Sequence, residues 1–117
     1  SLYHIEMNSG IRVKIADVPL EGNEPRSLQY DSFYNGVFLT ITLQGAYFIH
    51  FKTGRVFKFP IINYPDLRSC HYILKDQNGD LWMPTNSGLY FMRKKVFEDF
   101  IHGHNNFVSF SRLGKSD

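Results

Sequence analysis

Side chains with chemical potential are few in this sequence. Of the five histidines, only His102 and His104 stand close together. A zinc site normally takes three or four protein ligands, and no acid or cysteine shares that spacing. The pair reads as loop polarity, and no metal is expected. Cys70 directly precedes His71, the residue types of a thiol nucleophile and its base. In an extended segment adjacent side chains point to opposite faces, so these two cannot act on one atom. A lone cysteine also excludes an internal disulfide, and Cys70 reads as a small buried hydrophobe. Trp82, the only tryptophan, could stack on a sugar ring, but its place in the repeat described below favours packing between sheets. No acid and base share a spacing and orientation suited to catalysis, so neither catalytic residues nor a cofactor is expected.

Bulk properties narrow the field further. The chain has 117 residues and a net charge of +2, with Lys and Arg scattered apart from Arg93-Lys94-Lys95. That run reads as a solvated strand end, and nothing marks a nucleic-acid partner. No apolar run approaches the ~20 residues of a membrane-spanning helix. Aromatic residues make up 16%, mostly Phe and Tyr, which leans towards β structure.

The elements that must position these residues repeat. Asn35-Gly36 and Asn78-Gly79 stand 43 residues apart, and at that offset Thr42 falls on Thr85, Gly45 on Gly88, Tyr47 on Tyr90 and Phe48 on Phe91. "NGVFLTITLQGAYF" is therefore a second copy of "NGDLWMPTNSGLYF". A partial third copy opens the chain: at an offset of 44, "HIEMNSG" aligns with "FIHFKTG". Each unit reads as short strands separated by glycine turns. First strands are expected at 27–33 and 69–75, second at 37–42 and 80–85, third at 46–51 and 89–93. Fourth strands follow at 11–15 and 55–59, and each Asn-Gly suggests a type I′ hairpin turn. The last unit breaks step. Val96, Phe97, Phe100 and Ile101 mark one face of a short helix at 95–102, with Gly103 as its C-cap and 107–112 as the displaced fourth strand. Four antiparallel strands per ~40–45 residues is the pattern of a β-propeller blade.

The best copy resembles a known family. "KDQNGDLWMPTNSGLYFMRK" is similar to the two-component regulator propeller repeat, whose pattern is Asp-x-x-Gly-x-(Ile/Leu)-Trp-(Ile/Val)-Gly-Thr-x-x-Gly-(Leu/Ile)-Tyr. Asp76, Gly79, Leu81, Trp82, Thr85, Gly88, Leu89 and Tyr90 occupy its positions. Residues 94–117 also resemble the helix and strand that follow a late blade in such sensors. Pro84 replaces the pattern's glycine, so a local bulge or bend is expected there. In the middle copy, Leu39 stands at the tryptophan position and Phe33 near the aspartate.

The resulting expectation is an all-β partial propeller of about two and a half four-stranded antiparallel blades with one short helix near 95–102. It divides into a partial blade 1–18, a blade 26–60 and a blade 68–112, within 1–117 as a fragment of a propeller sensor. A closed propeller takes roughly 4–8 blades. The resemblance implies a periplasmic, extracytoplasmic sensor region that binds a small-molecule or oligosaccharide ligand and signals to a histidine kinase. The rest of the propeller, or self-association through open blade edges, supplies the remaining partners. Residues shared between copies read as frame, so ligand contacts are sought in the variable connections 19–26 and 64–68. Arg26, Tyr64, Asp66 and Arg68 are the ligand-binding candidates. A protein–protein scaffold and a piece of a propeller enzyme such as a lyase are the rival readings.

Overall fold

Two runs of short apolar segments, each punctuated by turn residues, fold into two four-stranded antiparallel sheets. The computed structural model describes residues 4–6, 12–14, 21–103 and 110–113. Strands β1 (His4–Glu6) and β2 (Arg12–Lys14) form an antiparallel hairpin. The first four-stranded sheet is a meander of β3 (Pro25–Asp31), β4 (Gly36–Ile41), β5 (Gly45–His50) and β6 (Val56–Lys58). The second has β7 (Leu74–Lys75), β8 (Leu81–Thr85), β9 (Gly88–Met92) and β10 (Ser111–Leu113), in the spatial order β10-β9-β8-β7. Helix α1 (Lys94–His102) is inserted between β9 and β10. The described residues are thus mostly β with one α-helix, and the two four-stranded sheets stack without closing into a ring.

The helix lies where the apolar spacing placed it. Its N-terminus is held by Asp80, whose Oδ1 accepts the Lys94 N–H at 2.8 Å. Gly103 ends it in the left-handed conformation (φ 71°). Phe97 is fully buried against the first sheet, within 5.0–6.1 Å of the rings of Tyr34, Phe38, Phe48 and Phe59.

Strand pairing shows how the sheets correspond. Phe38 lies opposite Phe48 as Trp82 lies opposite Phe91, and Leu39 opposite Tyr47 as Met83 opposite Tyr90. Phe38, Ala46 and Phe48 of the first sheet, with Phe59 just beyond β6, share one buried cluster with Leu81, Met83, Tyr90 and Met92 of the second. Val37, Leu39, Ile41, Tyr47 and Ile49 form a separate buried cluster on the other face. The face of the second sheet turned towards the first is therefore the counterpart of the Val37/Leu39 face. The sheets stack in one sense, like with unlike. One ion pair ties their first strands, Lys75 Nζ to the buried Asp31 Oδ2 at 2.6 Å.

Several expectations change. The tryptophan's counterpart is Phe38, not Leu39, because β4 turns into β5 through three residues and β8 into β9 through two. That difference slips the pairing by one residue and exchanges faces. The aspartate's counterpart is Asp31, not Phe33: Asp31 accepts the Tyr34 N–H, as Asp76 accepts those of Asn78 and Asp80. Neither Asn-Gly makes a type I′ turn, which needs positive φ at both residues. Only Asn35 (φ 54°) and Gly79 (φ 85°) are positive.

The strand expected at 69–75 is reduced to Leu74–Lys75, preceded by a 3-10 turn at Pro65–Ser69. Pro84 explains part of this. Its carbonyl accepts the His71 N–H at 2.9 Å, but without an N–H of its own it returns nothing to that side. Pairing of β8 with β9 runs through Pro84 in unbroken register, so the expected bulge is replaced by a shortened neighbour strand. The last strand is Ser111–Leu113, and residues 107–109 lie outside the described residues.

Candidate functional site

A cavity of about 410 Å³ opens where the first sheet meets the inserted helix. Alternation along β5 turns Phe48 and His50 to the same face, and Phe57 lies opposite Phe48 on β6. The β5–β6 turn adds Thr53 and Arg55, and the β3–β4 turn adds Phe33 and Tyr34. Helix α1 closes the other side with Glu98, Ile101 and His102, where the i, i+4 spacing sets Glu98 and His102 on one stripe.

Polar groups at the rim are held in defined states. The Thr53 N–H donates to His50 Nδ1 at 3.3 Å, with Thr53 Oγ1 3.0 Å from the same atom. Nδ1 is therefore an acceptor, and the neutral imidazole carries its proton on Nε2. The Arg55 guanidinium lies 4.8 Å from the centre of the Phe57 ring. Tyr34 donates its hydroxyl to Glu98 Oε2 at 3.0 Å. Burial, reinforced by the Glu98 carboxylate, raises the Tyr34 hydroxyl well above the ordinary tyrosine range. The proton stays on Tyr34, so this pair positions the Glu98 carboxylate and does not generate a base. The arrangement is suited to holding a molecule.

The candidates read from sequence lie elsewhere. Asp66 and Tyr64 meet around Tyr90: Asp66 Oδ2 accepts the Tyr90 hydroxyl at 2.8 Å, and the Tyr64 and Tyr90 ring centres are 6.1 Å apart. Tyr64 Oη also accepts the Phe110 N–H at 3.3 Å, and Arg112 Nε lies 3.7 Å from Asp66. Burial first, then the Asp66 bond, raises the Tyr90 hydroxyl above its ordinary pKa. These contacts stitch the 64–68 connection to β9 and β10. Arg26 is exposed and donates to the Ser69 carbonyl at 3.4 Å, and Arg68 is exposed on the 3-10 turn. Neither Arg26 nor Arg68 joins the Tyr64–Asp66 cluster through a hydrogen bond or ion pair.

Cys70 is buried with its thiol near the Tyr72 carbonyl, and burial pushes it up to about 12, which keeps it protonated. His102 borders the cavity, while His104 lies outside the described residues. Among the described residues no group of three His, Cys, Asp or Glu side chains gathers as a metal site. None of their helices is long and apolar enough to cross a membrane. Trp82 packs on Phe91 with ring centres 4.6 Å apart and donates Nε1–H to Asp76 Oδ2 at 2.8 Å.

The cavity residues His50, Arg55, Tyr34 and Glu98 escaped the sequence reading, because they come from three separated segments. The one signal pointing to them is the helical insertion, where the repeat breaks step and supplies a wall that the other copy lacks. Comparison of the chain with protein-family models, with curated proteins and with solved structures finds no match.

Proposed function

We propose that the chain is a non-catalytic, ligand-sensing segment of a β-propeller, of the kind that serves extracytoplasmic two-component sensors and signals to a histidine kinase. The observation that carries this reading is the origin of the cavity walls. One wall belongs to the first sheet and the other to the helix inserted in the second repeat. A molecule bound there contacts both repeats at once, so its binding energy couples them, which is what a sensor needs. The recurrence at 43 residues and the resemblance of 75–94 to the propeller repeat support the same reading. Thermal unfolding against a panel of saccharides and small organic acids tests it. A ligand of this cavity raises the melting temperature as its concentration passes its Kd. Absence of a shift across the whole panel would remove the sensor reading.

A second reading, a protein-interaction scaffold, is favoured by the outer face of the second sheet. Trp82, Pro84, Leu89 and Phe91 are only half-buried there, and Leu74 and Leu113 are 50% and 52% exposed. Sedimentation of the chain and of its Phe91→Ser variant separates the two. Association abolished by Phe91→Ser, with no ligand response in either protein, supports the scaffold.

A further inference from the structure

Three polar groups around the cavity have hydrogen-bonding capacity that the described residues do not use. The Arg55 guanidinium makes no hydrogen bond or ion pair among the described residues and rests over Phe57. His50 spends Nδ1 on Thr53, leaving the Nε2–H donor. Glu98 spends Oε2 on Tyr34, leaving Oε1 as an acceptor. Two donors, one of them a permanent cation, thus come from the β5–β6 end, and one anionic acceptor comes from the helix. Between them the walls are Phe33, Tyr34, Phe57 and Ile101, with the fully buried Phe48 behind Phe57.

This distribution selects among ligand classes. A polyhydroxylated ring needs a partner for each hydroxyl it loses from water, and an unpaired buried hydroxyl costs roughly 1–3 kcal/mol. His102 also borders the cavity, and Thr53 Oγ1 is engaged by His50 and the Arg55 N–H, so these few groups amid aromatic walls would leave several hydroxyls of a sugar unpaired. A flat apolar ring meets these walls without that cost, and aromatic rings pack well against it. A guanidinium with a free fork is matched by a carboxylate, which accepts two parallel N–H bonds. The surroundings add positive charge, since Lys94 Nζ lies 5.4 Å from the centre of Phe33. At about 410 Å³ the cavity falls in the range of roughly 300–1,000 Å³ typical of small organic ligands.

We infer that the cavity binds an aryl carboxylate: carboxylate on Arg55 and His50 Nε2–H, ring against Phe57 and Phe33, and a hydroxyl or amino donor on the far side of the ring reaching Glu98 Oε1. This rests on the ligand-binding reading above and narrows its chemistry.

Calorimetric titration of the whole chain with 4-hydroxybenzoate, benzoate, benzamide, glucose and glucuronate tests it. The expected order is 4-hydroxybenzoate above benzoate, with benzamide weakest of the three. Arg55→Met keeps the apolar stem and removes the charge. Because Arg55 is exposed, the fold should survive, which unchanged circular dichroism and Trp82 emission will check. Loss of a charge-assisted pair predicts at least about a tenfold weaker Kd for both acids, with Arg55→Lys recovering part of it. Glu98→Ala should erase the advantage of the 4-hydroxyl while leaving benzoate binding in place. Benzamide binding as tightly as benzoate, or acids indifferent to Arg55→Met, would overturn the inference. Binding of glucose or glucuronate without the aryl acids would overturn it and leave the sensor reading standing. No binding by any of the five, with no stabilisation across the wider panel, removes both.

Discussion

The two sheets are built alike and end up in different surroundings. In the first, β4 reads Gly-Val-Phe-Leu-Thr-Ile, and all six residues are buried. In the second, β8 reads Leu-Trp-Met-Pro-Thr, with Leu81 and Met83 buried and Trp82, Pro84 and Thr85 half-buried. The cross-strand aromatic pair sits in the same place in both, Phe38–Phe48 at 5.1 Å and Trp82–Phe91 at 4.6 Å. Phe48 is 0% exposed, sealed by the second sheet and Phe97. Phe91 is half-buried, with no such cover among the described residues. The tryptophan suits its wetter place, since its N–H needs a partner and finds one in Asp76. A pleated surface can therefore repeat its pairing while its burial is decided by what is stacked on it.

The comparison can be broken most directly at that aromatic pair. Phe48→Ala should cost about 3–5 kcal/mol, the transfer term plus a cavity. Phe91→Ala, at the equivalent position, should cost about 1–2 kcal/mol, because part of the ring is already in water. Urea denaturation of both variants measures the gap, and equal losses would mean that the outer face is as covered as the inner one.

The glycines of the two Asn-Gly pairs give the next largest contrast. A Cβ at Gly36 would lie 2.4 Å from the Ile49 carbonyl oxygen and 2.6 Å from Phe48 Cζ, so backbone must move. Gly36→Ala should cost about 3 kcal/mol. At Gly79 the obstacle is the flexible Lys94 side chain at 2.8 Å, and the demand is the positive φ of 85°. Gly79→Ala should cost about 1 kcal/mol. Thermal melts of the pair check whether one glycine serves close approach and the other backbone conformation.

Tyr34→Phe removes the hydroxyl donated to Glu98 across the cavity and should cost about 1 kcal/mol. In the same denaturation series, a loss near zero would mean that this bond does not help fasten the helix to the first sheet. The smallest effect concerns Asp76. The Trp82 indole bond, with the turn N–H groups, holds the Asp76 carboxyl below its ordinary value. A folded-state value lowered in this way adds stability above the unfolded pKa of about 4. That contribution is lost as pH falls through the folded value. Emission of Trp82, the only tryptophan, should therefore shift on acidification in this chain, and the shift should be blunted in Asp76→Asn, whose neutral-pH emission changes little.

Much of the fold was legible because it is local. Thr42/Thr85, Gly45/Gly88 and Tyr47/Tyr90 mark turns and strand starts that neighbouring residues dictate, and α1 follows from Val96, Phe97, Phe100 and Ile101 with Gly103 behind them. The register was not legible. A fixed offset of 43 pairs Trp82 with Leu39, yet one extra residue in the β4–β5 turn makes Phe38 the counterpart. The candidate site was legible only as a place where the repeat breaks step. Tyr64 and Asp66 looked available because their connection varies between copies, and the structure engages both with Tyr90, Phe110 and Arg112.

By itself the amino-acid order determined where strands and turns fall, which residues alternate, and that a helix interrupts the second repeat. These depend on φ preferences, side-chain period and capping, all set within a few residues. Only the tertiary structure decided that the first sheet is covered on both faces and the second on one, and that His50, Arg55 and Glu98 line one cavity. Both depend on how separate elements stack, and stacking is chosen by the total apolar area buried between them, a quantity that belongs to no single stretch of chain.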